Sequence, residues 1–229
     1  MKLYLIIFFS MYFCKSQDYS LTFFGFHIGD IKQSLFEEGK IKYEVKSRGI
    51  MDLFYPLENN YYAYFDTKTY NLKSWGKKIK QGSYKSSLDA KVDSFENTLQ
   101  YKNKAIQIEG AVHTIFTMLA MVQFLPFEIL DTKWYSYEHQ GNIGKTRLLW
   151  SDSLMVLEGK DSVMCDHYRL DIKIIDSTFA IIESEDYFMA NLLNDDYIKE
   201  IWVKRGNNRK IVQASFKNEW ISFIAKANQ

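Results

Sequence analysis

Cysteine, proline and glycine are scarce in this chain: two, two and eleven among 229 residues. Cys14 lies in an N-terminal segment that reads as a removable leader, which leaves Cys165 alone. No intrachain disulfide is then available, so packing and backbone ladders must hold the fold. A lone thiol can act as a nucleophile, but a buried, inert cysteine is the commoner case. The glycines are scattered and no segment is biased in composition, which excludes a collagen-like or low-complexity chain. Excess charge of one sign is also missing. Basic residues number 29 and acidic ones 28, and a formal charge of +1 gives no field to gather nucleic acid or an anionic membrane. G-x-S-x-G, H-E-x-x-H and a phosphate-cradling glycine loop are absent, so nothing implies a cofactor and the usual grounds for expecting an enzyme are gone.

The start, "MKLYLIIFFSMYFCKSQDYS", carries a short positive region at Lys2, an apolar core from Leu3 to Phe13 and small residues before Gln17. That is the pattern of a secretory signal peptide over 1–16, and it predicts an exported protein, periplasmic or attached to the cell envelope. The apolar core is far shorter than the roughly 20 residues that span a bilayer, so no transmembrane segment is expected after cleavage. Acylation at Cys14 is poorly supported, because Phe13 is large where lipoprotein processing prefers a small residue. The remainder, 17–229, shows no linker, repeat or charge block and reads as a single β domain.

Aromatic residues are plentiful, at 17% of the chain, and they suit a pleated, half-buried surface. In "GKIKYEVKS" Ile41, Tyr43 and Val45 point one way and the lysines and Glu44 the other, the period of a half-buried strand. Comparable segments follow in 59–93 and 97–110, then "KWYSYEHQ", "KTRLLWSD", "SLMVLEGKDS", "MCDHYRLDIKII", "FAIIESEDYFM", "YIKEIWVKRG" and the closing "RKIVQASFKNEWISFIAKA". Turn signals recur at Gln140-Gly141, Gly159-Lys160, Asp176-Ser177, Asn194-Asp195 and Gly206-Asn207. This spacing predicts an antiparallel meander of about a dozen strands. So many strands do not stay a flat open sheet. The expected fold class is mainly β: one strongly curved antiparallel sheet, a half-barrel or unclosed barrel.

One stretch breaks the alternation. "VHTIFTMLAMVQFLPF", 112–127, is nearly all apolar and long enough for about four helical turns. Pro126 disfavours helical geometry in the residue before it and marks the end. His113, Thr114 and Thr117 form a short polar stripe, which predicts a wet side for the first half. The second half is apolar nearly all round and so enclosed. The expectation is a core helix over 111–125, lying in the trough of the curved sheet.

The opening "GKIKYEVKSRGI", the "D-T-K-T" at the end of the next strand and its basic partner, and the tryptophan-bearing "IKEIWVKRGNNRK" before two closing strands resemble the domain of unknown function 3108 family over 37–226. Departures from its pattern are Glu109-Gly110-Ala111, where an aspartate-led turn opens the helix, and "SVMCDHYRL", where a glycine turn is usual. The resemblance implies an exported, mostly β domain of Gram-negative bacteria. It implies no catalytic residue.

Four groups of residues invite a chemical reading. Cys165 and His167 share a strand face with Asp166 opposite, but two ligands do not make a zinc site. Same-face neighbours about 7 Å apart do not make a nucleophilic pair without help. Glu183 and Glu185 could divide acid and base roles in an envelope hydrolase, although a solvated strand face is the commoner explanation. Tyr62 and Tyr64, and Tyr135 and Tyr137, pair on strand faces and could line an apolar cavity with Phe116, Leu119, Met121 and Phe124 of the helix; cross-strand packing competes with that reading. Arg205 and Arg209 flank a turn, where solvated charges are expected over an anion site. The functional expectation is a non-enzymatic envelope protein that binds an apolar or lipid ligand in the trough. An assembly module that docks an envelope partner and an envelope hydrolase are the alternatives.

Overall fold

Extended segments that bury every second side chain make up most of the chain. The computed structural model describes residues 14–181 and 186–228, with the backbone alone at 187 and 188. Among these, fourteen strands form one sheet. In chain order they are β1 Cys14–Phe23, β2 Phe26–Phe36, β3 Lys40–Ser47, β4 Glu58–Phe65, β5 Leu72–Gln81, β6 Tyr84–Asp93, β7 Thr98–Tyr101, β8 Lys104–Gln107, β9 Tyr135–His139, β10 Asn142–Glu158, β11 Asp161–Asp176, β12 Ile198–Lys204, β13 Ile211–Lys217 and β14 Ser222–Ala227.

Consecutive strands pair antiparallel except β8 and β9, and β1 pairs with β14 from Tyr19↔Ala227 to Phe23↔Phe223. The two ends of the domain therefore meet at mid-sheet, and the two arms curl away to edges at β8 and β9. Those edges share no ladder, so the barrel is unclosed, as the alternation predicts. Four helices complete the described chain: α1 Ile50–Phe54, α2 Ile115–Phe124, α3 Phe127–Leu130 and α4 Tyr187–Leu193. None is long and apolar enough to cross a membrane.

The apolar stretch is a helix, but it starts later than expected. Residues 111–113 are not helical. His113 N–H donates to Ser136 O and His113 O accepts from Glu138 N–H, both at 2.9 Å, while Val112 O accepts from Leu72 N–H at 3.0 Å. This short parallel stitch ties β9 to the start of β5 across the split in the barrel. Thr114 then caps α2. Its hydroxyl accepts from Thr117 N–H, and Thr117 Oγ1 accepts from Thr114 N–H. The expected wet side is therefore absent: His113, Thr114 and Thr117 are all buried, because the two threonine hydroxyls are spent on the cap. Leu125 is extended ahead of Pro126, so the predicted end holds.

Two other segments differ from the strand reading. "KTRLLWSD" and "SLMVLEGKDS" are one 17-residue strand, β10, bulged between Trp150 and Asp152. The last three residues of the expected strand "FAIIESEDYFM", 187–189, instead open the helix α4, since Asp186 accepts from Met189 N–H at 3.0 Å and caps it.

Candidate functional site

Inward side chains of β1–β4 and β12–β14 do not fill the space beneath α2. An apolar cavity of ≈ 140 Å³ remains. Its roof is Phe116 and Leu119 of α2, and its walls include Leu21, Ile31, Ile201 and Phe216. Ala214 and Ala225, paired directly across β13 and β14, keep the wall thin there. A second cavity of ≈ 130 Å³ continues toward the turns at one end of the sheet. It shares Leu21, Val45, Tyr61, Phe216 and Phe223 with the first and reaches Met51 and Tyr55 beside α1. At this end the β1–β2 turn, α1 and the β13–β14 turn lie together, with Phe24 N–H bonded to Ser222 O and Arg48 N–H to Ile28 O. Phe24, Phe26, Leu53, Phe54 and Trp220 stand on these turns, each more than half exposed. Exposed apolar groups clustered in this way mark an interaction or ligand-entry surface.

The polar groups of the trough are matched to one another. Gln33 Oε1 accepts from Tyr43 OH at 2.9 Å and Tyr19 OH at 3.2 Å, and Gln33 Nε2 donates to Gln123 Oε1 of α2 at 2.9 Å. Burial pushes the Tyr19 and Tyr43 hydroxyls far above their usual pKa, so both stay neutral donors.

A buried clasp spans the split between the arms. Glu138, at the end of β9, accepts from Trp75 Nε1–H at 2.8 Å, from Gly141 N–H at 2.8 Å and from Tyr101 OH. Full burial raises its carboxyl to about 7 despite these three donors. His139 stacks on Trp75 with centroids 6.1 Å apart, and burial lowers it to about 3, which keeps it neutral. Beside them Lys77 Nζ donates to Asp186 Oδ2 at 2.9 Å and to Gln140 Oε1, and Asp186 Oδ1 accepts from Tyr61 OH at 3.0 Å. Side chains of β5 and β7 thus grip β9 and its turn where no ladder joins them.

Of the residues expected to bind ligand, Phe116 and Leu119 line the cavity. Met121 is buried outside its lining, and Phe124 is partly exposed at the far end of α2, near the Tyr70 ring and the Lys15 ammonium. Tyr62 and Tyr64 lie on the outer face of β4: Tyr62 OH donates to Asp89, and Lys40 lies 5.0 Å from the Tyr64 ring. Tyr135 and Tyr137 point inward on β9 but outside the cavity wall. The tyrosines that do line it are Tyr19, Tyr43 and Tyr61. Tyr61 shares its strand face with Ala63 and Phe65, an alternation visible in "YYAYF" but masked by adjacent tyrosines.

Cys165 and His167 share the outer face of β11, with Asp166 inward. Burial pushes the Cys165 thiol up to about 11, so it stays protonated. His167 stacks on Trp202 at 4.5 Å, and its Nδ1 lies 3.1 Å from Asp152. No hydrogen bond joins thiol and imidazole among the described residues, and the pair lines neither cavity. Glu183 and Glu185 lie outside the described residues. Arg209 is not a solvated turn charge, and Arg205, although exposed, is ion-paired. They hold buried Asp166 at 2.6 and 2.9 Å, and Arg209 also donates to Val122 O of α2 at 3.3 Å, anchoring the helix to the wall. Among the described residues no group of three or more His, Cys, Asp or Glu is placed to hold a metal.

No family model and no curated protein matches the chain. Its fold is similar to the crystal structure of a beta-barrel-like protein of domain of unknown function 1849 from Brucella abortus. The TM-score is 0.58 at 10% identity, over 93% of this chain and 95% of that one. A likeness at this identity concerns the fold.

Proposed function

We propose that this protein is an exported, non-enzymatic cell-envelope domain that holds an apolar ligand of lipid type between α2 and the curved sheet. One observation carries the reading: the cavity under Phe116 and Leu119 is walled almost wholly by apolar side chains and runs toward an apolar rim. A trough with that lining favours an acyl chain over water, at about 25 cal/mol for each Å² of apolar surface removed from solvent. The leader at 1–16 and the resemblance to the domain of unknown function 3108 family support export to the envelope. Cleavage after Ser16 removes the first three residues of β1 and leaves the β1–β14 ladder, which begins at Tyr19, untouched. Native mass spectrometry after mild extraction tests the proposal. The expected result is a mature chain starting at Gln17 with a bound apolar mass. A ligand-free mass together with no uptake of a fluorescent fatty acid overturns it.

A further inference from the structure

Among the described residues that line the cavity, one is a cation. Lys199 is the second residue of β12, on the same inward face as Ile201 and Val203, and only 5% exposed. It lines the first cavity. Its Nζ donates to two backbone carbonyls, Asn194 O at 2.8 Å and Tyr197 O at 3.1 Å. No carboxylate among the described residues lies within ion-pair distance of it. Neighbouring Glu200 also borders the cavity, but its carboxylate is held by Lys217 at 2.7 Å and lies 3.2 Å from His167. The other polar side chains in the lining have partners of their own: Tyr19 and Tyr43 at Gln33, Tyr61 at Asp186, and Ser215 at Glu200. A buried charge with no direct ion pair is costly. Asp195 and Asp171 offset that cost only from a distance, and Lys199 borders a mostly apolar space at the end of the sheet that carries the exposed aromatic rim.

We infer that Lys199 is the head-group site of the trough, and that the ligand is a long-chain carboxylate, a fatty acid, whose chain runs toward Phe116 and Leu119. This rests on the carrier reading above and names its ligand class. An ammonium has three donors. Two are used on the carbonyls, and the third is left for one acceptor with a single negative charge. A carboxylate fits that demand, whereas a phosphate monoester brings more charge and more acceptors than one N–H can meet. The two carbonyls are those at the end of α4 and just beyond it, so they fix the ammonium's position before any ligand arrives.

Displacement of a neutral apolar fluorophore by palmitic acid, hexadecanol and a palmitoyl lysophosphatidic acid tests the assignment on the full-length mature protein. Wild type should bind the acid about tenfold or more tighter than the alcohol, the scale of one charge-assisted hydrogen bond. Lys199→Met should bring acid and alcohol to equal affinity with the alcohol unchanged, and Lys199→Arg should keep the preference. Equal binding of acid and alcohol by wild type, or a preference retained in Lys199→Met, overturns the inference and leaves the carrier reading standing. Tighter binding of the phosphate lipid than of the acid overturns the carboxylate assignment. Failure of the fluorophore and all three lipids to bind removes the carrier reading itself. If Lys199→Met does not fold, the wild-type comparison of acid with alcohol still decides.

Discussion

Replacing Glu138 by glutamine should change how stability depends on pH, in a direction fixed by the clasp. Burial raises the carboxyl from its ordinary 4.5 to about 7. The folded state therefore binds this proton more tightly than the unfolded chain does. Its contribution is fully present below pH 4.5 and is lost as pH rises through about 7. At about 1.4 kcal/mol per pH unit, that gap is worth about 3 kcal/mol. Two histidines act the other way. Burial lowers His113 to about 4 and His139 to about 3 from the ordinary 6.5. Each therefore adds stability above 6.5 that is lost as pH falls toward the folded value. Measured alone, wild type would mix these opposed effects, but the difference between wild type and Glu138→Gln cancels the histidines.

The glutamine also sets an amide N–H₂ against one of the donors, Trp75 Nε1–H or Gly141 N–H. That penalty of about 1–3 kcal/mol is independent of pH. Urea denaturation of both proteins at several pH values between 4.5 and 8 gives the difference directly. The advantage of wild type over the variant should shrink by about 3 kcal/mol across that range. A difference that stays constant, or grows with pH, would refute the placement of Glu138 as a buried acid at the split.

Other expectations follow from the same geometry. Lys77→Met strands Asp186 as an unpaired buried charge and should cost about 3–5 kcal/mol in a denaturant titration. Lys77→Met combined with Asp186→Asn should recover most of that loss, because asparagine is neutral and still caps α4. Gly141→Ala should lower stability by about 2–4 kcal/mol, since φ is +86° there and an added Cβ would collide with Phe179 O; a stable variant would contradict that packing. Cys165, fully buried and held protonated, should resist a thiol reagent in the folded protein and react on unfolding. Rapid labelling in native buffer would show the thiol to be accessible.

Local patterns carried the architecture, and distant pairings carried most of the site. Alternation in "KIKYEVK" places Ile41, Tyr43 and Val45 inward because a strand's period is two and one face must be dry. The end of α2 is legible from Pro126. Its start is not, because Thr114 and Thr117 use their hydroxyls to cap, and in a helical projection two threonines look like a wet stripe. Lys77 shares a face with Trp75 and Ile79, so parity alone turns it inward. A lysine in "KKIKQ" nevertheless looks solvated until its partner Asp186, far along the chain, is known. Lys199 is hidden for the same reason: its burial depends on the α4 segment folding back over β12. The Glu138 clasp joins residues on both sides of the split, and no short-range pattern reports on which strand edges come together.

The central claim is that the bent sheet and α2 leave a trough built for an apolar chain. Titrating a fluorescent fatty acid against wild type and Ala225→Phe tests it most directly, because a phenylalanine at Ala225 projects into the cavity beside Ala214. Wild type should show saturable uptake, and the variant, folded by circular dichroism, should bind at least about tenfold more weakly. Saturable binding of equal strength in both proteins, or none in wild type, would contradict the account.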